Sequence, residues 1–136
     1  MSRTIRIFVV DDDLDDTEIF QEVLSFIDPT IQCSTAENGR DALDKLSRVT
    51  FIPDLIFLDL NMPRMDGKEC LRKLKENLLL RNIPVIIYTT SSQSKDIEET
   101  MEAGAIKFIT KPLNVNDLEK ILRPIVLGLK QPTIQD

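Results

Sequence analysis

The stretch Pro53-Asp54-Leu55-Ile56-Phe57-Leu58-Asp59-Leu60-Asn61-Met62-Pro63-Arg64-Met65-Asp66-Gly67 restricts the fold more than any other part of the chain. Its apolar run does not alternate with polar residues, so both faces must be buried, as in an inner strand of a parallel sheet. The run stops at the carboxylate of Asp59 and breaks into a loop punctuated by Pro63 and Gly67. Asp59 is thereby delivered to the carboxyl edge of a sheet. On this stretch alone it serves equally well as the residue that opens a turn, and the rest of the chain must decide between the two roles.

Taken in order, Arg6-Ile7-Phe8-Val9-Val10 reads as a first strand that ends abruptly in Asp11-Asp12-Asp13-Leu14-Asp15-Asp16. Ile19, Phe20, Val23, Leu24 and Ile27 then recur at helical spacing, behind an acidic cluster whose charge suits a helix N-terminus. Asp28-Pro29 ends that helix, 31–36 is a second strand, and Asn38-Gly39 turns into a helix around Ala42, Leu43 and Leu46. After Gly67, the residues Cys70, Leu71 and Leu74 mark a third amphipathic helix reaching about Lys75, and Leu78-Leu79-Leu80 is read as a segment packing its end. A fourth strand over 84–88 runs into Thr89-Thr90-Ser91-Ser92. The helix expected from about Ser94 to Ala103 has only Ile97 and Met101 as an apolar stripe, so it should be loosely held. A fifth strand over 105–110 leads directly into Lys111-Pro112. Leu118, Ile121, Leu122, Ile125, Val126 and Leu129 build a strong last helix, which Pro124 should kink because it cannot donate to the carbonyl of Lys120. Five strands alternating with five helices predict a doubly wound α/β sandwich on a five-stranded parallel sheet. A single domain is expected over 1–136, with its core at about 4–129 and a short tail over 130–136.

Composition removes several functions. With 42% hydrophobic and 29% charged residues the chain is ordinary for a globular protein, and a net charge of −6 with no basic cluster opposes direct nucleic-acid binding. Cys33 and Cys70 are far apart and lack metal-site spacing, so they read as reduced thiols of a cytoplasmic protein. No stretch is long and apolar enough to span a membrane. The chain contains no histidine, which excludes hydrolases of the Ser-His-Asp or Cys-His type; phosphohistidine chemistry would have to come from a partner.

The strand ends form a list: Asp11 and Asp12, then Asp59, Thr89 and Lys111. In a parallel sheet all of them lie on one edge, where ligands of open α/β sheets bind. Crowded carboxylates repel and need a cation, and an all-oxygen site selects a hard ion such as Mg²⁺. A carboxylate beside that ion can attack phosphorus to form an acyl phosphate, with the Lys111 ammonium and the Thr89 hydroxyl able to meet phosphoryl oxygens. Each residue alone has a plainer role as helix-entry charge, cap or surface cation; five at successive strand ends favour a site.

These same residues, Val9-Val10-Asp11-Asp12-Asp13, the string from Leu58 to Gly67, Thr89 and Lys111-Pro112, resemble the signature of the receiver domain of two-component response regulators over nearly the whole chain. The resemblance implies a flavodoxin-like fold of strand order 2-1-3-4-5. It implies that Asp59 accepts a phosphoryl group from a sensor or hybrid histidine kinase or a histidine phosphotransfer protein. Asp11, Asp12, Asp59 and the main-chain carbonyl of Asn61 would serve Mg²⁺, and Asn61 and Ser91 would tune dephosphorylation. Thr89 and Phe108 would be coupled switch residues, and the Lys111–Pro112 bond would be cis. The role implied is that of a signalling phosphoacceptor rather than an enzyme, similar to stand-alone receivers that partner phytochrome-type or hybrid kinases. It allows for a homodimer through the face of the fourth helix, fifth strand and fifth helix.

Two rivals share some of these residues. Asp11, Asp13, Asp15 and Glu22 match positions 1, 3, 5 and 12 of a calcium-binding EF-hand loop, but Asp16 stands where the turn glycine is needed. A haloacid-dehalogenase-like phosphatase also uses an aspartate after an apolar strand, yet Asn61 occupies the place of its general acid. A receiver-like binding module that works without phosphate shares the whole pattern.

Overall fold

The computed structural model describes residues 4–48 and 52–130; the tail expected at the C-terminus lies outside them from residue 131 on. The elements alternate as expected: β1 (Arg6–Val10), α1 (Leu14–Ile27), β2 (Gln32–Ala36), α2 (Gly39–Leu46), β3 (Leu55–Leu58), α3 (Gly67–Glu76), β4 (Val85–Thr89), α4 (Ser94–Glu102), β5 (Lys107–Thr110) and α5 (Val115–Lys130). All pairings are parallel, and the sheet order is β2-β1-β3-β4-β5. β3 is central, and its four residues are buried on both faces, which is why its sequence shows no alternation.

The two faces are nonetheless distinct. Phe8, Val10, Ile56, Leu58, Val85 and Ile87 pack against Ala42 and Leu46 of α2 and Cys70, Leu71 and Leu74 of α3. Ile7, Val9, Leu55, Phe57, Ile86 and Tyr88 pack against Phe20 and Leu24 of α1 and Leu118, Leu122 and Val126 of α5. On that second face Phe20 meets Phe57 and Tyr88 edge-on, with ring centroids 4.8 and 5.3 Å apart. Each fully buried side chain of β3 contributes about 1.5–3 kcal/mol, so the strand that carries Asp59 is also a main source of stability.

The loops at the carboxyl edge double as helix caps. Asp13, Asn38 and Asp66 each accept from an amide three residues on and open α1, α2 and α3. α4 has no such side-chain cap. Its expected stripe is not what packs: Ile97 and Met101 are exposed, and the buried residue of α4 is Thr100, whose hydroxyl donates to the Asp96 carbonyl at 2.7 Å. A polar side chain can be buried there because it satisfies itself on its own helix. Leu80 packs after α3 as expected, but Leu78 and Leu79 are exposed; the turn capped by Asn77 brings only one leucine of the three to the core. α5 continues through Pro124 as one helix.

Among the described residues every peptide bond is trans, so the expected cis Lys111–Pro112 bond is not found. An X-Pro amide prefers trans by about 0.5–1 kcal/mol. Here Lys111 continues the ladder by donating to the Thr89 carbonyl at 2.7 Å, and Leu113 then points to solvent, so nothing in the turn outweighs that preference. No helix among the described residues is long and apolar enough to cross a membrane. Cys33 and Cys70 are free thiols, and burial pushes them up to about 11 and about 12.

Candidate phosphoacceptor site

Register brings the strand ends together. Val10 pairs with Leu58, and the next residues, Asp11 and Asp59, lie side by side, with the Asp59 amide donating to the Val10 carbonyl at 2.9 Å. One oxygen from each of Asp11, Asp12 and Asp59 falls within 4.8 Å of the others. At an effective dielectric of about 20, two charges at that distance repel by about 3–4 kcal/mol. Within the protein this is offset by Lys111, whose Nζ lies 2.8 Å from Asp11, 2.8 Å from Asp16 and 3.3 Å from Asp59. Burial pulls the ammonium down, but its bonds to Asp11 and Asp16 and the charges of Asp11 and Asp59 more than reverse this and hold it well above its usual range. Burial has the larger say on Asp11, whose carboxyl is pushed up to about 6 despite its bonds to Lys111 and the Asp13 amide.

Asp16 is the partner that sequence reasoning missed. It was visible only as one charge of the acidic cluster at a helix N-terminus and as the residue replacing a turn glycine. α1 and α5 cover one sheet face, so the Lys111 side chain, turned to that face from the end of β5, meets the first turn of α1, a placement that becomes legible once the sides of the helices are assigned. The same helix removes the calcium-loop rival: α1 begins at Leu14, so most of the would-be loop is helical and cannot wrap an ion.

Thr89 ends β4 next to this cluster. Its side chain is fully buried, and its Oγ1 is, among the described residues, the one buried side-chain polar atom without a hydrogen-bond partner. Phe108 of β5 is half-buried and pairs with Ile87, so it lies on the same sheet face as Thr89 and packs against the layer of Phe8, Leu58 and Ile87. Asn61 is exposed and shares with Asp12 a cleft of about 530 Å³. Ser91 donates its hydroxyl to Asp96. The structure thus gathers Asp11, Asp12, Asp59 and Lys111 into one cluster, sets Thr89 beside it and Asn61 at its mouth, and leaves Ser91 bonded to α4.

After Asp59 the chain must turn sharply. Arg64 adopts a left-handed φ of 68°, and Met62 and Met65 are buried, which pins the loop from both ends. Gly67 closes it: a Cβ there would lie 2.1 Å from the Asp59 carbonyl oxygen. Only glycine lets α3 start so close to the backbone of Asp59.

The family model of the response regulator receiver domain matches residues 7–123. The chain belongs to this family. It is 33% identical over 132 residues to the two-component response regulator ARR17 of Arabidopsis thaliana, covering 89% of this chain and 84% of that one. The crystal structure of the phosphorylated cyanobacterial phytochrome response regulator RcpA superposes with a TM-score of 0.84 at 32% identity, over 90% of this chain and 91% of that one. The manganese-bound form of the response regulator Rcp1 gives a TM-score of 0.83 at 31% identity, over 97% and 99%; Rcp1 is from Synechocystis sp.. This receiver domain therefore shares with both the five-stranded sheet in the order 2-1-3-4-5 and its five helices.

Proposed function

We propose that Asp59 is the phosphoacceptor of this receiver domain. A carboxylate oxygen of Asp59 attacks the phosphorus of a phosphohistidine on a sensor or hybrid histidine kinase, or on a histidine phosphotransfer protein. An O–P bond forms as the N–P bond breaks, and the imidazole leaves to the partner. The observation that carries this reading is the Thr89 hydroxyl, buried without a partner at the end of the strand that pairs with β3, where the Thr89 carbonyl accepts the Lys111 amide. A buried hydroxyl is costly to leave unsatisfied, and an oxygen added to Asp59 would give it an acceptor.

The donor set fits a hard cation. Asp11, Asp12 and Asp59 offer only oxygen, their ligand atoms are already gathered, and they outnumber the single ammonium that now balances them. Together with the Asn61 carbonyl they would hold Mg²⁺, which when bound would neutralise charge on the transferring group. The manganese-bound form of Rcp1 supports this. Lys111 holds the Asp59 carboxylate in place beforehand and remains available to a phosphoryl oxygen. Thr89 and Phe108 act as the switch: drawing the Thr89 hydroxyl towards Asp59 makes room for the Phe108 ring and reshapes the surface of α4, β5 and α5, onto which a partner or a second copy docks. Asn61, unable to act as a general acid, keeps turnover slow, and Ser91 shares in setting it. The likeness to RcpA supports a phytochrome-type or hybrid kinase as partner, and the two free thiols agree with a cytoplasmic setting.

Incubation with a small acyl-phosphate donor and Mg²⁺, followed by intact mass of the wild type and Asp59→Asn, tests the assignment. One phosphoryl adduct, absent in the variant, is expected. An adduct that survives in Asp59→Asn would move the acceptor elsewhere, and continuous donor hydrolysis without any adduct would favour a phosphatase.

A further inference from the structure

We infer that Lys68 couples the cleft beside Asp59, lined by Asp12 and Leu60, to α4, holding that helix down in the resting protein and releasing it when Asp59 gains a phosphoryl group. The inference rests on the phosphoacceptor reading and names a route by which that site is reported.

Lys68 is fixed at the cleft by its neighbour. Gly67 packs against the Asp59 carbonyl and donates its amide to Leu60 at 2.9 Å, so Lys68 begins one residue from that contact. Its side chain lines the same cleft as Asp12, Asn61, Asp66 and Asp96, and it is the only cation among the residues lining it. From there Nζ reaches across to α4, 2.7 Å from Asp96 Oδ1 and 2.7 Å from Glu99 Oε2. Asp96 in turn accepts the Ser91 hydroxyl on its other oxygen, so the clamp also holds the β4–α4 loop two residues beyond Thr89. The ammonium is held above its ordinary value by Asp96 and Glu99, and the Asp96 carboxyl below its own by Lys68 and Ser91, so these groups are ionised together at neutral pH.

α4 has little else to hold it. It buries only Thr100 and has no side-chain cap at its start. The two ion pairs are partly exposed, hence individually weak and reversible, which suits a hold that must be broken. A phosphoryl group brings about −1.5 to −2 charges at pH 7 into a cleft whose wall otherwise carries carboxylates. Beyond what Lys111 neutralises, it competes with Asp96 and Glu99 for the Lys68 ammonium, the one cation lining that cleft, on a flexible four-carbon stem that can swing between them. Only a differential contact of this kind can shift α4 from one state to the other.

The test uses the full chain with beryllofluoride and Mg²⁺ as the phosphoryl mimic, and reads amide exchange at residues 94–102 against residues 55–58. In the wild type, protection of α4 is expected to fall about fivefold when the mimic binds. In Lys68→Met the same fall should be present without the mimic and should not grow with it, while residues 55–58 keep wild-type protection. Lys68→Arg should behave as wild type, and Asp96→Asn with Glu99→Gln should reproduce Lys68→Met from the other side. Wild-type protection of α4 in resting Lys68→Met, or an undiminished response to the mimic there, would overturn the coupling. Adduct formation is followed separately by its fluorine resonance. If the wild type takes up no mimic, the phosphoacceptor reading itself fails and the coupling with it; if the mimic binds and α4 stays protected, the coupling alone fails.

Discussion

Replacing Thr89 by valine is expected to stabilise the resting protein and to blunt its response. The Thr89 side chain is fully buried, and its hydroxyl has no partner. Such a group costs about 1–3 kcal/mol relative to one that is paired or absent. A methyl group in its place adds up to about 0.8 kcal/mol of apolar burial, and valine suits the end of β4 at least as well as threonine does. Imperfect packing of the new methyl takes back part of this, leaving a net gain of about 1–2 kcal/mol. With a urea slope of about 2 kcal/mol/M for a domain of this size, the unfolding midpoint should rise by about 0.5–1 M. Urea titration of the two proteins without donor measures this directly. The phosphorylated proteins are then compared by amide exchange over residues 89–112, where the valine variant should show a much reduced change. A variant less stable than wild type by more than about 0.5 kcal/mol would mean that the hydroxyl is bonded after all. A variant with a full response would remove it from the switch.

Lys111→Met should cost about 3–5 kcal/mol in metal-free buffer at neutral pH, because it strands Asp11 and Asp59 without their cation. Burial has already raised the Asp11 carboxyl to about 6 from an ordinary 3.8, so its charge penalises the fold in full above about 6, and part of the loss should be recovered as the pH falls from there towards 3.8. A variant as stable as wild type in urea at neutral pH would refute this. Asp28 works with the opposite sign: the Thr30 hydroxyl and amide, then Lys130, hold its carboxyl down at about 2 against an ordinary 3.8. Its contribution is fully present above about pH 4 and is lost as the pH falls through 2, so the stability gap between wild type and Asp28→Asn should close over that window; a gap that persists at the acid end would remove the carboxylate as its cause.

What was legible in the sequence was whatever depends on strand ends. A parallel sheet puts every strand's last residue on one edge, so Asp11, Asp59, Thr89 and Lys111 could be grouped without knowing a single distance. The unbroken apolar run before Asp59 likewise announced a central strand. Contacts made from the helices were not legible. Asp16 reaching Lys111, or Lys68 reaching Asp96 and Glu99, requires knowing which face each helix covers and how far along its axis it starts. α4 misled for a related reason, since Ile97 and Met101 carry the apolar spacing but Thr100 faces the core, its hydroxyl satisfied within the helix. The trans Lys111–Pro112 bond shows the limit of arguing from resemblance when a small local preference decides the outcome.

The sheet is unequal in stiffness from its middle to its rim. β3, with Asp59, the proposed acceptor, just past its end, is locked between β1 and β4 and buried on both sides, whereas β5 exposes half of its residues and α4 lies beside it with one buried side chain. Chemistry is therefore done on an anvil and reported by a compliant margin. Substitutions in that margin disturb few packed atoms, so it can be recut at little cost in stability, which the strand leading to Asp59 does not allow.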